Sequence, residues 1–155
     1  MLPLFNTDGF LPVGQHIVSE KSIHESLVIP FSDSNRRYLF DNWQRYNRRL
    51  KDLLNITQLH KWIDGSFVTI KIHPNDIDLV TFVPYIYYEP AEEQLIEEYS
   101  TITLHDHGLD AYLCPIYPTD HPDHELYLRF RTIWQTRFQS VKGLTLQKGF
   151  IETTI

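Results

Sequence analysis

Apolar residues recur along this chain with two periods. From Ser34 onward, Leu39, Trp43, Tyr46, Leu50 and Leu53 alternate in steps of four and three, which predicts a long amphipathic helix capped by Ser32 or Ser34. A shorter helix is predicted after Ser19, with Ile23 and Leu27 on one face, ending before Pro30. Residues 59–63, 76–84, 109–116 and 149–155 carry the short, bulky or alternating pattern of strands. An acidic helix over 91–99 follows Pro90. A last helix starts at Pro122, capped by Asp120, with Leu126, Phe130, Ile133 or Trp134, and Phe138 on its face. Pro3, Gly9, Pro12 and Gly14 punctuate the first 18 residues, which read as a loop-like arm over the surface.

The order helix, strand, turn, strand, helix, strand, helix, strand implies an α+β (mixed α/β) fold, a small mixed sheet flanked by helices. At 155 residues and 42% hydrophobic content, the chain has the size of one domain spanning 1–155 with its own core. Cys114 is the only cysteine, so no internal disulfide can form, and a reducing cytoplasm is the expected setting. No secretory signal or run of roughly 18 apolar residues is present, so direct membrane insertion is not expected.

A formal net charge of −6 argues against broad binding to long nucleic acid. The densest basic cluster, Arg36, Arg37, Arg45, Arg48, Arg49 and Lys51, falls on the long helix and reads as a solvated face. Two histidine clusters, His105 and His107 near Asp106, and His121 and His124 near Asp120 and Asp123, match no established zinc spacing. Tyr85, Tyr87 and Tyr88 read as an aromatic strand end packed on a sheet, and Cys114 as a small buried residue.

The chemistry concentrates in Asp64-Gly65-Ser66-Phe67-Val68-Thr69 and Asn75-Asp76-Ile77-Asp78-Leu79. Alternation on a strand puts Asp76 and Asp78 on one face while Ile77 and Leu79 enter the core. Two carboxylates that close repel each other, and a hard divalent cation such as Mg²⁺ or Mn²⁺ removes the conflict. A third acid completes such a site. Asp110, alternating with Leu109 and Ala111, is the candidate, and Asp106 the runner-up. Gly65 lets the backbone approach a ligand closely, and the Ser66 hydroxyl can bond a phosphate oxygen. The combination points to metal-assisted nucleotidyl transfer.

Gly65-Ser66, nine intervening residues and Asp76-Ile77-Asp78-Leu79 resemble the signature of the DNA polymerase β-type nucleotidyltransferase superfamily. The fuller pattern is similar to DUF6932, a family of small bacterial proteins. It includes Trp62-Ile63 before the turn, Leu11-Pro12-Val13-Gly14-Gln15-His16, Asp110, Trp134 and Lys148-Gly149-Phe150. The superfamily resemblance implies a minimal mixed sheet, with Gly65 and Ser66 on the triphosphate and Asp76, Asp78 and Asp110 on metal. Many small members carry an arginine and a glycine soon after the Gly-Ser pair. Val68-Thr69-Ile70-Lys71 stands here instead, which leaves Lys71 and Lys148 as the candidates for further phosphate contact.

The expectation is therefore an Mg²⁺- or Mn²⁺-dependent transferase. It would move a nucleoside monophosphate from a nucleoside triphosphate to a hydroxyl of a protein, a tRNA or a growing oligonucleotide, releasing pyrophosphate. Small stand-alone members of the superfamily are often found in toxin–antitoxin or phage-defence systems. A chain this short is expected to act as a homo-oligomer or with a partner protein encoded nearby. The alternatives are a non-catalytic interaction module, such as an antitoxin or regulatory subunit, and a nucleotide-binding sensor.

Overall fold

A computed structural model describes residues 1–99, 104 and 107–155. His105 and Asp106 lie outside the described residues. The chain builds a five-stranded mixed sheet with helices on both faces, in agreement with the α+β reading. Its strands are β1 (Gly14–Ile17), β2 (His60–Asp64), β3 (Ile77–Pro84), β4 (Leu109–Ile116) and β5 (Gly149–Thr154), in spatial order β1-β5-β2-β3-β4. The outer pairs β1 with β5 and β3 with β4 are parallel, while β2 runs antiparallel to both of its neighbours. Among the described residues, no helix is long and apolar enough to cross a membrane.

Two cores form because alternate residues of each strand point to opposite faces. On one face, Ile63, Leu79, Ala111 and Ile151 pack under α1 (Glu20–Leu27) and α2 (Ser34–Leu54), which contribute Ile23, Leu27, Leu39, Trp43 and Leu50. The sequence places these apolar positions correctly. On the other face, Trp62, Val80, Phe82, Cys114 and Phe150 pack under Trp134 and Phe138 of α5 (His124–Phe138). Between β3 and β4, a one-turn helix α3 (Tyr85–Tyr88) leads through a 3-10 turn into α4 (Glu92–Tyr99).

Four local expectations are corrected. The first 18 residues are no surface arm: Leu2, Leu11 and Val18 are buried, and Gly14–Ile17 adds a strand parallel to β5. The long helix is capped by Asp33, whose side chain accepts the Asn35 N–H, rather than by Ser32 or Ser34. The tyrosine run is helical because Pro84 ends β3 and the chain turns. Finally, α5 begins at His124 beyond Asp123, and Leu126, Phe130 and Ile133 stay 46%, 44% and 59% exposed. Trp134 and Phe138, the remaining residues of that expected face, do turn inward.

Polar groups also enter the first core. Lys61, opposite Thr81 on β3 and Thr153 on β5, donates to the Thr81 hydroxyl and sits 4.4 Å from the Tyr46 ring centroid. Burial pushes its amine well below the ordinary lysine range of 10.5. The unfolded chain therefore holds a proton that the folded one sheds, so stability falls as pH drops from 10.5 toward the folded-state value. Lys61→Met is expected to stabilise the fold at pH 7 by about 1–3 kcal/mol. Thermal melts across pH would show its advantage over the parent shrinking as pH rises.

Candidate functional site

The carboxylates meet because of strand register. Asp64 ends β2 opposite Asp78 on β3, and Asp78 is opposite Asp110 on β4, so three acids line up across adjacent strands. They share the face that carries Trp62, Val80 and Tyr112, the face covered by α5. Asp76 sits just before β3 rather than inside it, one residue ahead of Ile77. All four acids line one open cavity of about 1140 Å³, together with Gly65, Ser66, Lys71 and Lys148. The residues first chosen from the sequence for metal or phosphate binding, Gly65, Ser66, Lys71, Asp76, Asp78, Asp110 and Lys148, therefore reach the same space, while the runner-up Asp106 lies outside the described residues.

The turn between β2 and β3 explains why glycine stands at position 65. Gly65 has φ of 80°, in the left-handed region that other residues seldom adopt. A Cβ there would also run into the Asp78 carboxylate. Ser66 then opens a 3-10 turn, Ser66–Val68, closed by a 2.8 Å bond from the Thr69 hydroxyl to the Ser66 carbonyl. Gly65→Ala is expected to destabilise the fold by about 1–3 kcal/mol, because it combines a strained backbone with a displaced Asp78. A denaturant titration of this variant beside Gly14→Ala, whose φ of 127° is also strained for alanine but whose added Cβ meets open space, separates the clash with Asp78 from the backbone strain.

Beneath the turn lies the residue that charge patterning misplaced. Arg36 belongs not to the solvated basic face but to the interior, fully buried. Its guanidinium donates four hydrogen bonds, to the carbonyls of Leu27, Phe67, Thr69 and Lys71, and stacks 3.9 Å from the Phe31 ring centroid. Three of these carbonyls belong to the segment that leaves the Gly-Ser turn, so Arg36 ties that segment to α2. Burial lowers its pKa to about 10, still high enough to keep the charge at neutral pH.

The acids are electrostatically unequal. Burial first, then the charges of Asp76, Asp64 and Asp110, push the Asp78 carboxyl up to about 7. Asp64 is almost completely enclosed and forms a buried ion pair with Lys148, which precedes β5. Burial raises its pKa, and Lys148 offsets only part of the rise. Lys148 thus faces the cavity with its charge already matched by Asp64, while Lys71 is exposed at the rim and lends its backbone carbonyl to Arg36.

Whether these residues suit a divalent cation can be judged from donor chemistry and register. Neighbouring strands lie roughly 4.8 Å apart, so carboxylates in register on β3 and β4 can share an ion, and all are hard oxygen donors. Burial first, and then the like charges of Asp76, Asp64 and Asp110, raise the Asp78 pKa, and the like-charge part is what such an ion relieves. In the present rotamers, no three His, Cys, Asp or Glu side chains among the described residues are gathered closely enough to enclose a metal. The donor set fits; occupancy requires the side chains to draw together.

His121 and His124 brace a loop instead. His121 Nδ1 accepts the Asp123 N–H at 3.1 Å, and the Tyr117 carbonyl accepts from His124 Nδ1 at 2.8 Å. Sequence reasoning missed Arg36, the Asp64–Lys148 pair, and the approach of Arg137 and Lys142 to the cavity. Arg36 had a signal, since it lies three and seven residues before Leu39 and Trp43 on the buried stripe. The pairing of Asp64 with a lysine 84 positions away had none.

No curated protein and no solved structure matches the chain. A family model does match, over residues 3–154, and its description is a family of unknown function, DUF6932. With nearly its whole length covered, and with the glycine turn and acids described above inside the match, the chain belongs to the DUF6932 family.

Proposed function

We propose that this chain is a divalent-metal-dependent nucleotidyltransferase, similar to the DNA polymerase β-type superfamily, that moves a nucleoside monophosphate from a triphosphate donor to a hydroxyl. The observation that carries the reading is the convergence of Gly65, Ser66, Asp76, Asp78 and Asp110 on one cavity, with Asp78 and Asp110 in strand register. Asp76, Asp78 and Asp110 would hold Mg²⁺ or Mn²⁺. Such an ion, when bound, polarises phosphoryl oxygens and lowers the pKa of a coordinated hydroxyl.

The rest falls to the chain itself. The left-handed Gly65 leaves the backbone bare where a phosphate must come close, and Ser66 supplies a hydroxyl donor. Arg36 holds the following segment in place from below, so the turn is formed before the ligand arrives. In the transfer, the acceptor oxygen bonds to the α-phosphorus and loses its proton. The α–β bridging bond breaks, and pyrophosphate leaves with the electron pair. A protein, a tRNA or an oligonucleotide could supply the acceptor, and a toxin–antitoxin or phage-defence role with a partner protein or second copy fits a chain of this size.

One observation favours a second reading. The acids are not gathered in the present rotamers, as also expected of a non-catalytic interaction module that keeps the fold. The experiment that separates the two incubates purified protein with each labelled ribo- and deoxyribonucleoside triphosphate, Mg²⁺ or Mn²⁺, with and without tRNA. Metal-dependent release of pyrophosphate supports the transferase. Its absence with every nucleotide and both metals supports the module.

A further inference from the structure

Cations line the same cavity as the carboxylates, and one of them sits beside two aromatic rings. Among the described residues, Lys71, Arg137, Lys142 and Lys148 line the space. Lys148 is buried against Asp64, so its charge is already matched. Arg137 differs. It stands in the last turn of α5, where the helix dipole favours a cation. Its guanidinium lies 5.0 Å from the Trp134 ring centroid and 5.7 Å from that of Tyr112.

Those rings bias the guanidinium toward the β4 side of the cavity. Tyr112 is two residues beyond Asp110 on the same face of β4, and the Arg137 charge also acts on Asp64 at the end of β2. Arg137 therefore stands beside the β4 end of the acid row, where it lines the same cavity as Asp64, Asp78 and Asp110. A guanidinium placed near two rings by cation–π attraction is biased toward that position, and its planar N–H groups match two phosphate oxygens at once. Lysine offers no such planar match.

We infer that Arg137, supported by Lys142, is a phosphate-binding arm of this cavity. This rests on the proposed transferase reading for the identity of the ligand, a phosphate anhydride or ester, and it assigns a residue that neither the glycine turn nor the acid row contains. Two parts of a ternary complex carry such a group: the phosphate chain of the donor and the phosphodiester next to an acceptor hydroxyl.

The test is isothermal titration of the full chain, with excess Mg²⁺, using inorganic tripolyphosphate in one arm and the dinucleotide ApA in the other. Arg137→Gln is expected to weaken at least one of them about tenfold or more, Arg137→Lys to recover part of the loss, and Lys142→Gln to cost less. Because Arg137 is exposed, its variants are expected to stay folded with only a small loss of stability from the two rings and the helix end, and a melt of each checks this before titration. A loss confined to tripolyphosphate assigns the arm to the donor; a loss confined to ApA assigns it to the acceptor. Unchanged affinity for both probes in Arg137→Gln, or no binding of either by the parent protein, overturns the inference. Failure to release pyrophosphate from any nucleotide would instead sink the transferase reading and leave an Arg137-dependent affinity standing.

Discussion

Asp78→Asn is expected to lower the proposed nucleotidyl transfer by ~10³-fold while making the metal-free protein more stable at pH 8. The two effects share one cause. Asp78 sits between Asp64 and Asp110 in the register and close to Asp76, so it carries the heaviest burden of like charge and burial. Its folded-state pKa of about 7 stands above the ordinary 3.8. Between those values the folded chain holds a proton that the unfolded chain has released, and stability falls as pH rises through that window. Taken alone, the shift corresponds to ~4 kcal/mol at pH 8; repulsion shared among four acids and partial solvent access bring the expected gain from asparagine to about 2 kcal/mol.

Asparagine removes the charge and keeps the shape, so Gly65 retains its neighbour. Thermal melts in chelator at pH 4 and pH 8 should show little difference at the lower pH and a clear advantage for the variant at the higher. Added Mg²⁺ or Mn²⁺ should stabilise the parent and not Asp78→Asn, because linkage requires a cation that binds the folded state to raise its stability. A variant less stable than the parent at pH 8 would mean that the acid row is no strained arrangement, and the case for a cation there would lose its electrostatic basis.

Sequence pattern was most legible where one period dominated. The bounds of β4 and the buried stripe of α2 follow directly from alternation and from steps of three and four. Placing β2 at residues 59–63 was off by one residue, and the shift matters, because it brings Asp64 into the strand opposite Asp78. On α5, Leu126, Phe130 and Ile133 form a stripe as apolar as the one ending in Trp134 and Phe138, so hydrophobicity cannot choose between them; the sheet surface does. Lys61 and Arg36 defeat a reading based on charge because both are long, flexible side chains that find polar partners inside the fold. The glycine turn and the Asp76-Ile77-Asp78 pair are legible from local spacing and Asp110 from its alternation with Leu109 and Ala111, whereas Arg137 and Lys142 come from α5 and the segment that follows it and reach the cavity only through the tertiary fold.

Arg36→Ala is expected to be the most destabilising single change in the chain, at about 4 kcal/mol or more. Each hydrogen bond from a charged donor to a buried carbonyl contributes roughly 1.5–3 kcal/mol, but the four share one side chain and do not add fully. Truncation also opens a cavity beneath Phe31 and Phe67, whose rings lie 3.9 and 5.3 Å from the guanidinium carbon. For a domain of this length, the loss corresponds to a fall in Tm of roughly 10 °C or more. Arg36→Lys retains a cation and loses the planar array of donors, so it should fall between the parent and alanine. Hydrogen exchange discriminates further. Because Arg36 binds the carbonyls of Phe67, Thr69 and Lys71, amides of residues 66–71 should lose protection in Arg36→Lys before those of β3 and β4 do. Equal loss of protection throughout the sheet would show Arg36 to be a general element of the core rather than the tether of the glycine-serine turn.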